Sequence, residues 1–133
     1  MKKIRVLTAK FGFDIHSRGV IVVNRALRDG GMEVVYLGNQ APETIVDTAL
    51  DEDVDIIAVG SLSSTGVRYC EKMMGLLKDR NAGDIPVVFG GIVAPDEVYK
   101  MDEIGVAKYF PPGSDLNEMV KFFYDIVEKK ASQ

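Results

Sequence analysis

The sequence predicts one doubly wound α/β domain: a five-stranded parallel sheet covered by helices on both faces. Three observations predict it. Five short runs rich in β-branched residues recur along the chain, and the stretches between them carry helical periodicity. The middle runs are apolar at consecutive positions, as strands buried on both faces must be. The chain has 133 residues, 47% of them apolar. That suits one core and one domain over residues 1–133, with 130–133 as a frayed tail.

The first run covers residues 4–9. The helix after it opens at Gly19 and ends at Gly30 and Gly31, since a glycine just past the last turn readily takes the conformation that stops a helix. The second run is 34–37. Pro42 then suits the first turn of a helix, where its missing N–H is not needed, and Ile45, Val46, Ala49 and Leu50 share a face. The third run, 54–59, leads to a helix whose apolar face is Cys70, Met73, Met74 and Leu77, with Gly83 beyond its end. The fourth run, 85–89, precedes a helix started by Pro95 and closed by Gly105. The fifth, 106–110, is followed by the cleanest pattern in the chain. Leu116, Met119, Val120, Phe123, Ile126 and Val127 keep helical spacing, and Asp115 and Glu118 are placed like a capping box.

Strands alternating with helices imply parallel neighbours joined by right-handed crossovers. The expected strand order is 2-1-3-4-5, the flavodoxin-like arrangement. In such sheets a ligand binds outside the carboxyl ends of the strands, where the winding direction switches. Here that point lies between the first and third strands, at the loops 10–18 and 60–66. The loop at Gly90 and Gly91 is next along the sheet.

Composition narrows the function classes. Sixteen Lys and Arg against twenty Asp and Glu leave a net charge of −4, a poor balance for holding phosphate backbones. No apolar run is long enough to span a membrane, and the basic start has no apolar stretch of a leader behind it, so the expected setting is cytoplasmic. One cysteine and one histidine, Cys70 and His16, exclude an internal disulfide and a His/Cys zinc site. Neither a phosphate-binding P-loop, nor a dinucleotide GxGxxG, nor a GxSxG nucleophile elbow occurs. No acidic pair closes the first strand, which counts against a phospho-receiver. A chain of this length is also expected to build too little wall for a complete substrate-processing enzyme.

The unusual residues gather on the expected ligand rim. Seven of the 13 glycines fall there: Gly12, Gly38, Gly60, Gly66, Gly90, Gly91 and Gly113. Strand-to-helix turns favour glycine in any case, but two adjacent glycines directly after a buried strand also let something bulky lie against the backbone. His16 lies in the first switch-point loop, two residues after Asp14. This pair reads either as an exposed histidine beside a turn aspartate, or as an imidazole held in one tautomer by a carboxylate with its other nitrogen free for a metal or proton. Ser61, Ser63, Ser64 and Thr65 supply four hydroxyls in the second loop. Ser64 or Thr65 suits a helix cap, and four hydroxyls exceed what a cap needs. Arg18 and Arg68 are candidates to meet an anion.

Together these residues resemble the cobalamin-binding domain of adenosylcobalamin-dependent acyl-CoA mutases of the methylmalonyl-CoA mutase type. That family's signature is D-x-H-x-x-G, then S-x-L, then G-G, each after its own strand. The first element stands intact as Asp14, His16 and Gly19, and the third as Gly90 and Gly91. The second reads Gly60, Ser61, Leu62, with glycine where the family has its first serine. The resemblance extends over nearly the whole chain and includes Pro112 and Gly113, although Pro111 stands where the family often has glycine. It implies a Rossmann-like cobalamin-binding fold in which His16 is the lower ligand of cobalt in place of the cofactor's own dimethylbenzimidazole. Asp14 would hydrogen-bond the far nitrogen of His16. Arg18, Gly19, Ser61, Leu62, Ser63, Gly90 and Gly91 would complete the cofactor site, with Gly19 opening a cleft for the nucleotide tail. Ser61 or Ser63 would take the missing serine's place, or water would.

The function this resemblance implies is the small subunit of a two-chain acyl-CoA mutase. A large TIM-barrel subunit would hold the acyl-CoA, and adenosylcobalamin would start a radical 1,2 carbon-skeleton rearrangement. The cofactor carries the hard chemistry, so this chain would contribute His16 and a pocket but no substrate groups. A corrinoid methyl carrier is the main alternative. Such carriers usually have a helical cap domain before the motif, and here only 13 residues precede Asp14. The carriers' motif also usually runs on with an Ile-Gly-Lys-Asn type of stretch, where this chain has Ser17-Arg18-Gly19-Val20. A glutamate-mutase-like small subunit, and a sensor or regulatory module that binds cobalamin or another ligand without catalysis, are the other readings.

Overall fold

The computed structural model describes residues 3–11, 18–61 and 66–131. In chain order the elements are β1 (Arg5–Phe11), α1 (Arg18–Asp29), β2 (Glu33–Gln40), α2 (Pro42–Asp51), β3 (Ile56–Ser61), α3 (Gly66–Asp79), β4 (Val87–Gly91), α4 (Val98–Glu103), β5 (Lys108–Phe110) and α5 (Leu116–Ala131). The strands form one parallel sheet in the order β2-β1-β3-β4-β5, as the alternation of strands and helices predicts.

The sheet separates two cores, and strand alternation decides which residue enters which. Leu7, Ala9, Phe11, Ile57, Val59, Val87 and Phe89 pack with Ile45, Ala49, Met73 and Leu77 on the α2 and α3 side. Ile4, Val6, Ile56 and Val88 pack with Leu27, Met119 and Phe123 on the α1 and α5 side. Buried aliphatic or aromatic side chains of this kind each contribute about 1.5–3 kcal/mol. The two cores together hold the sheet, although neither is large.

Local chemistry sets the helix ends. Asp115 caps α5, its Oδ1 accepting from the backbone N–H of Asn117 at 2.8 Å and of Glu118 at 3.1 Å. Pro42 occupies the first turn of α2. Pro95 instead starts a 3-10 turn, Pro95–Glu97, which runs into the short α4. Gly31, at φ +90°, ends α1, and the Tyr124 hydroxyl donates to the Gly30 carbonyl, which ties α5 to that end. α5 continues to Ala131.

The strands reach further toward the carboxyl rim than their apolar runs. The ladder carries on through Lys10, Gly60 and Gly90, and through Ser61 beside Gly91. Backbone pairing needs no apolar side chain, so these positions are strand where the sequence pattern reads loop. Gly38 also lies inside β2. Thr8 faces Tyr36 and Lys10 faces Asn39, so β2 carries one extra residue there, and Gly38 at φ +74° absorbs the bulge. No helix among the described residues is long and apolar enough to cross a membrane.

Cys70 is fully enclosed in the α3 core, and burial pushes its thiol up to about 12. At pH 8 the folded chain then holds only about one thiolate in ten thousand, against roughly a quarter for an unperturbed thiol. A disulfide exchange reagent is expected to label native protein at least ~1,000-fold more slowly than protein unfolded in guanidinium, as read by absorbance. Rapid stoichiometric labelling of native protein would contradict the packing around Cys70.

Candidate functional site

A cleft of about 540 Å³ opens between the carboxyl half of the sheet and helices α1 and α5. Two rows of paired residues make its floor. The inner row is Thr8, Ala58 and Val88, and the outer row is Lys10, Gly60, Gly90 and Phe110. Two residues of strand separate the rows by roughly 6.5 Å. Val20 and Val23 of α1 form one wall, and Leu116, Met119 and Phe123 of α5 form the other. Residues 111–114 rim the mouth.

Side-chain size explains why the cleft exists on this face. The same stretch of sheet presents Phe11, Val59 and Phe89 to the α2 and α3 side, and that side is filled. Toward α1 and α5 it presents small residues at the central strands. A Cβ built on Gly90 meets nothing closer than the Phe110 carbonyl oxygen at 3.7 Å, and one on Gly19 meets nothing within 4 Å. Both glycines therefore leave open space facing the cleft. Gly91 differs. Its φ is +132°, and a Cβ there would stand 2.1 Å from the Ser61 carbonyl oxygen. It is required by the close passage of β4 past β3, whatever the cleft holds.

Among the described residues, four polar side chains touch the cleft. Lys10 and Ser61 are buried at its outer row and rim, and each has an interaction partner. Ser114 donates to the Pro111 carbonyl at 2.6 Å, which sets the turn at the mouth. At the inner row the Thr8 hydroxyl donates to Asn24 Oδ1 at 2.7 Å, and both residues are buried. Beyond the cleft floor, the Tyr109 hydroxyl donates to the Gly91 carbonyl at 2.7 Å and steadies the end of β4.

Of the residues predicted from sequence, Gly19, Ser61, Gly90 and Gly91 line this cleft together. Asp14, His16, Leu62, Ser63, Ser64 and Thr65 lie outside the described residues, as does the side chain of Arg18, whose backbone opens α1. Arg68 is exposed on α3, across the sheet from the cleft. Among the described residues no group of three or more His, Cys, Asp or Glu is placed to hold a metal. Sequence reading missed Thr8, Lys10, Phe110, Met119 and Phe123 as cleft residues. The available signal was the pair Thr8 and Lys10, two polar residues at alternate positions of an otherwise apolar central strand.

A family model described as the B12 binding domain matches residues 4–121. The 2-hydroxyisobutanoyl-CoA mutase small subunit of Aquincola tertiaricarbonis is 46% identical over 104 residues, covering 77% of this chain and 76% of its own. The pivalyl-CoA mutase small subunit of Xanthobacter autotrophicus is 36% identical over 133 residues, covering 99% and 89%. Among solved structures, a cobalamin-binding protein from Desulfitobacterium hafniense superposes with a TM-score of 0.80 at 17% identity, over 94% of this chain and 59% of that one. At that identity the likeness is one of fold.

The two adjacent glycines are expected to respond differently to substitution. Gly91→Ala should lose at least about 2 kcal/mol, from a strained backbone and a collision with Ser61. Gly90→Ala should stay within about 1 kcal/mol of the native chain, since its neighbour is at ordinary contact distance. Chemical denaturation measures both, and equal losses would contradict the division of roles.

Proposed function

The chain belongs to the B12-binding domain family, and from that premise we propose that it is the cobalamin-binding small subunit of a two-chain, adenosylcobalamin-dependent acyl-CoA mutase. In this reading the cofactor is held base-off with His16 as the lower cobalt ligand. The observation that carries it is the glycine-floored cleft at the carboxyl ends of β1, β3 and β4. Two relatives that are mutase small subunits, matched over most of their own length, support the reaction class.

The described residues fit a nucleotide tail. The cleft volume lies in the range of small-molecule sites, about 300–1,000 Å³. Gly60 and Gly90 let a flat ring lie directly on the strands, and the valines of α1 with Met119 and Phe123 of α5 exclude water from it. When bound, adenosylcobalamin supplies a cobalt–carbon bond whose homolysis starts the rearrangement. This chain's part is to bind and orient. His16 would donate a ring nitrogen to cobalt, and Asp14 would fix the histidine tautomer and raise its basicity. Arg18, Gly19, Ser61, Leu62, Ser63, Gly90 and Gly91 frame the tail. The acyl-CoA site belongs to a large partner subunit, read as a TIM barrel. The setting is cytoplasmic.

Gly60 has a structural counterpart to its departure from the family pattern. A Cβ there would stand 2.9 Å from the Gly90 carbonyl oxygen, so a serine requires β4 to shift. In this chain the outer row offers no hydroxyl from β3 at that point.

Reconstitution with adenosylcobalamin is expected to give a base-off visible spectrum, and in the Co(II) state an EPR signal split by a histidine nitrogen. His16→Ala should remove that splitting and abolish turnover with the large subunit. Asp14→Ala should keep the splitting and lose roughly 10- to 100-fold in activity or cofactor affinity. Coupling from the benzimidazole nitrogen in the native chain would sink the His16 assignment. Gly90→Leu, which fills the outer row, should weaken cofactor binding by at least about tenfold; unchanged binding would place the tail elsewhere.

A further inference from the structure

The inner row of the cleft is apolar except at one point. Ala58 and Val88 lie beside Thr8, and Thr8 is hydrogen-bonded to Asn24 of α1 at 2.7 Å. Thr8 is 1% exposed and Asn24 3%, so the pair is shielded from bulk water. Stability gives little reason to keep it. A buried hydrogen bond nets little over two apolar groups of the same shape, whereas a half-satisfied pair is costly. An alternating strand could have continued the Ile4, Val6 series with another apolar residue. The chain instead places Thr8 at the deeper row of the cleft floor, backed by Asn24 of α1.

The chemistry of the pair is directional. The hydroxyl proton of Thr8 is engaged by Asn24 Oδ1, so its oxygen keeps acceptor lone pairs and no free proton. An acceptor held in that state favours a partner with an N–H or O–H. At the outer row, β3 carries Gly60 and offers no hydroxyl of its own. Thr8 adds a polar contact one row deeper than Lys10 and Ser61.

Resting on the cobalamin reading above, we infer that Thr8, oriented by Asn24, makes this chain select cobamides whose lower base carries a hydrogen-bond donor on its ring edge. A ring hydroxyl or an exocyclic amino group qualifies. A base ending in hydrogen or methyl groups does not. Thr8 acts as a specificity residue and Asn24 as its positioning residue. Neither takes part in the chemistry at cobalt.

The test compares two adenosylcobamides that differ by a single hydroxyl, the benzimidazolyl and 5-hydroxybenzimidazolyl forms, titrated into the full chain and followed by visible absorbance. The native chain is expected to bind the hydroxylated form roughly three- to tenfold more tightly, the range that one neutral hydrogen bond supplies. In the double variant Thr8→Val with Asn24→Leu both forms should still bind base-off, with affinities within about twofold of each other. A merely structural role would lower both affinities together and leave their ratio unchanged, which would overturn the inference. Equal affinities in the native chain would overturn it without any variant, so a misfolded variant does not rescue it. Thr8→Val alone gives a second measure of the same ratio. If the native chain converts neither cobamide to the base-off form, the cobalamin reading itself fails and this inference falls with it. If both bind base-off with equal affinity, only the inference fails.

Discussion

The structure depends on one constraint: β3 and β4 run so close at their carboxyl ends that Gly91 cannot carry a side chain. The Ser61 carbonyl sits where its Cβ would be, and the same carbonyl accepts from the N–H of Ile92 at 3.2 Å. The ladder is thereby held in register out to the rim, with Gly60 beside Gly90 one step back. A sheet that frayed two residues earlier would leave the paired glycines in loops, free to move. Because they are strand, the surface they expose is flat and fixed, and a fixed floor loses little entropy when a ring is laid on it.

The opposite face supplies the rigidity. Phe11, Phe89 and Tyr109 make a continuous aromatic row across β1, β4 and β5, with ring centroids 6.4 Å apart between Phe11 and Phe89 and 6.1 Å between Phe89 and Tyr109. Tyr69 of α3 joins Phe11 at 5.6 Å. Gly66 at the start of α3 lies against the Phe89 ring so closely that a Cβ would reach its Cζ at 2.7 Å. Among the described residues that side is packed to the edge of the sheet. On the other side, α1 and α5 are held by contacts deeper in the domain, at Leu27, Phe123 and the Tyr124 bond to Gly30. They stand away from the sheet only where its side chains vanish. The cleft is thus the difference between two faces of the same strands.

Much of this was legible in the sequence, and the remainder was not for identifiable reasons. Alternating runs and helical faces carry strand order because each helix must cover a sheet face. The pair Gly90 and Gly91 pointed to the right rim. Their separate duties were not legible, since the collision with Ser61 is a cross-strand property that no local pattern encodes. The bulge at Gly38 looks like a turn in the sequence for the same reason: register belongs to two strands together. Gly60 suggests a loop because glycine signals turns, yet its backbone is paired on both sides. Thr8 and Asn24, sixteen positions apart, meet only once α1 is laid on β1. A threonine in a strand attracts no notice by itself, since β-branched residues belong there.

Fold alone says little about chemistry, for the doubly wound sheet serves many functions. The general rule for such sheets locates a ligand along the strand order, at the switch between β1 and β3. It does not say which face the ligand enters. Here side-chain volume decides, because the aromatic row closes one face and the glycines open the other. Where the polar groups stand then decides what is recognised. Lys10 and Ser61 lie near the mouth, and the Thr8 hydroxyl lies one row deeper. A ligand inserted from the rim would thus pass these two side chains before reaching the Thr8 hydroxyl. That order suits a long, flat tail whose far end carries the distinguishing group.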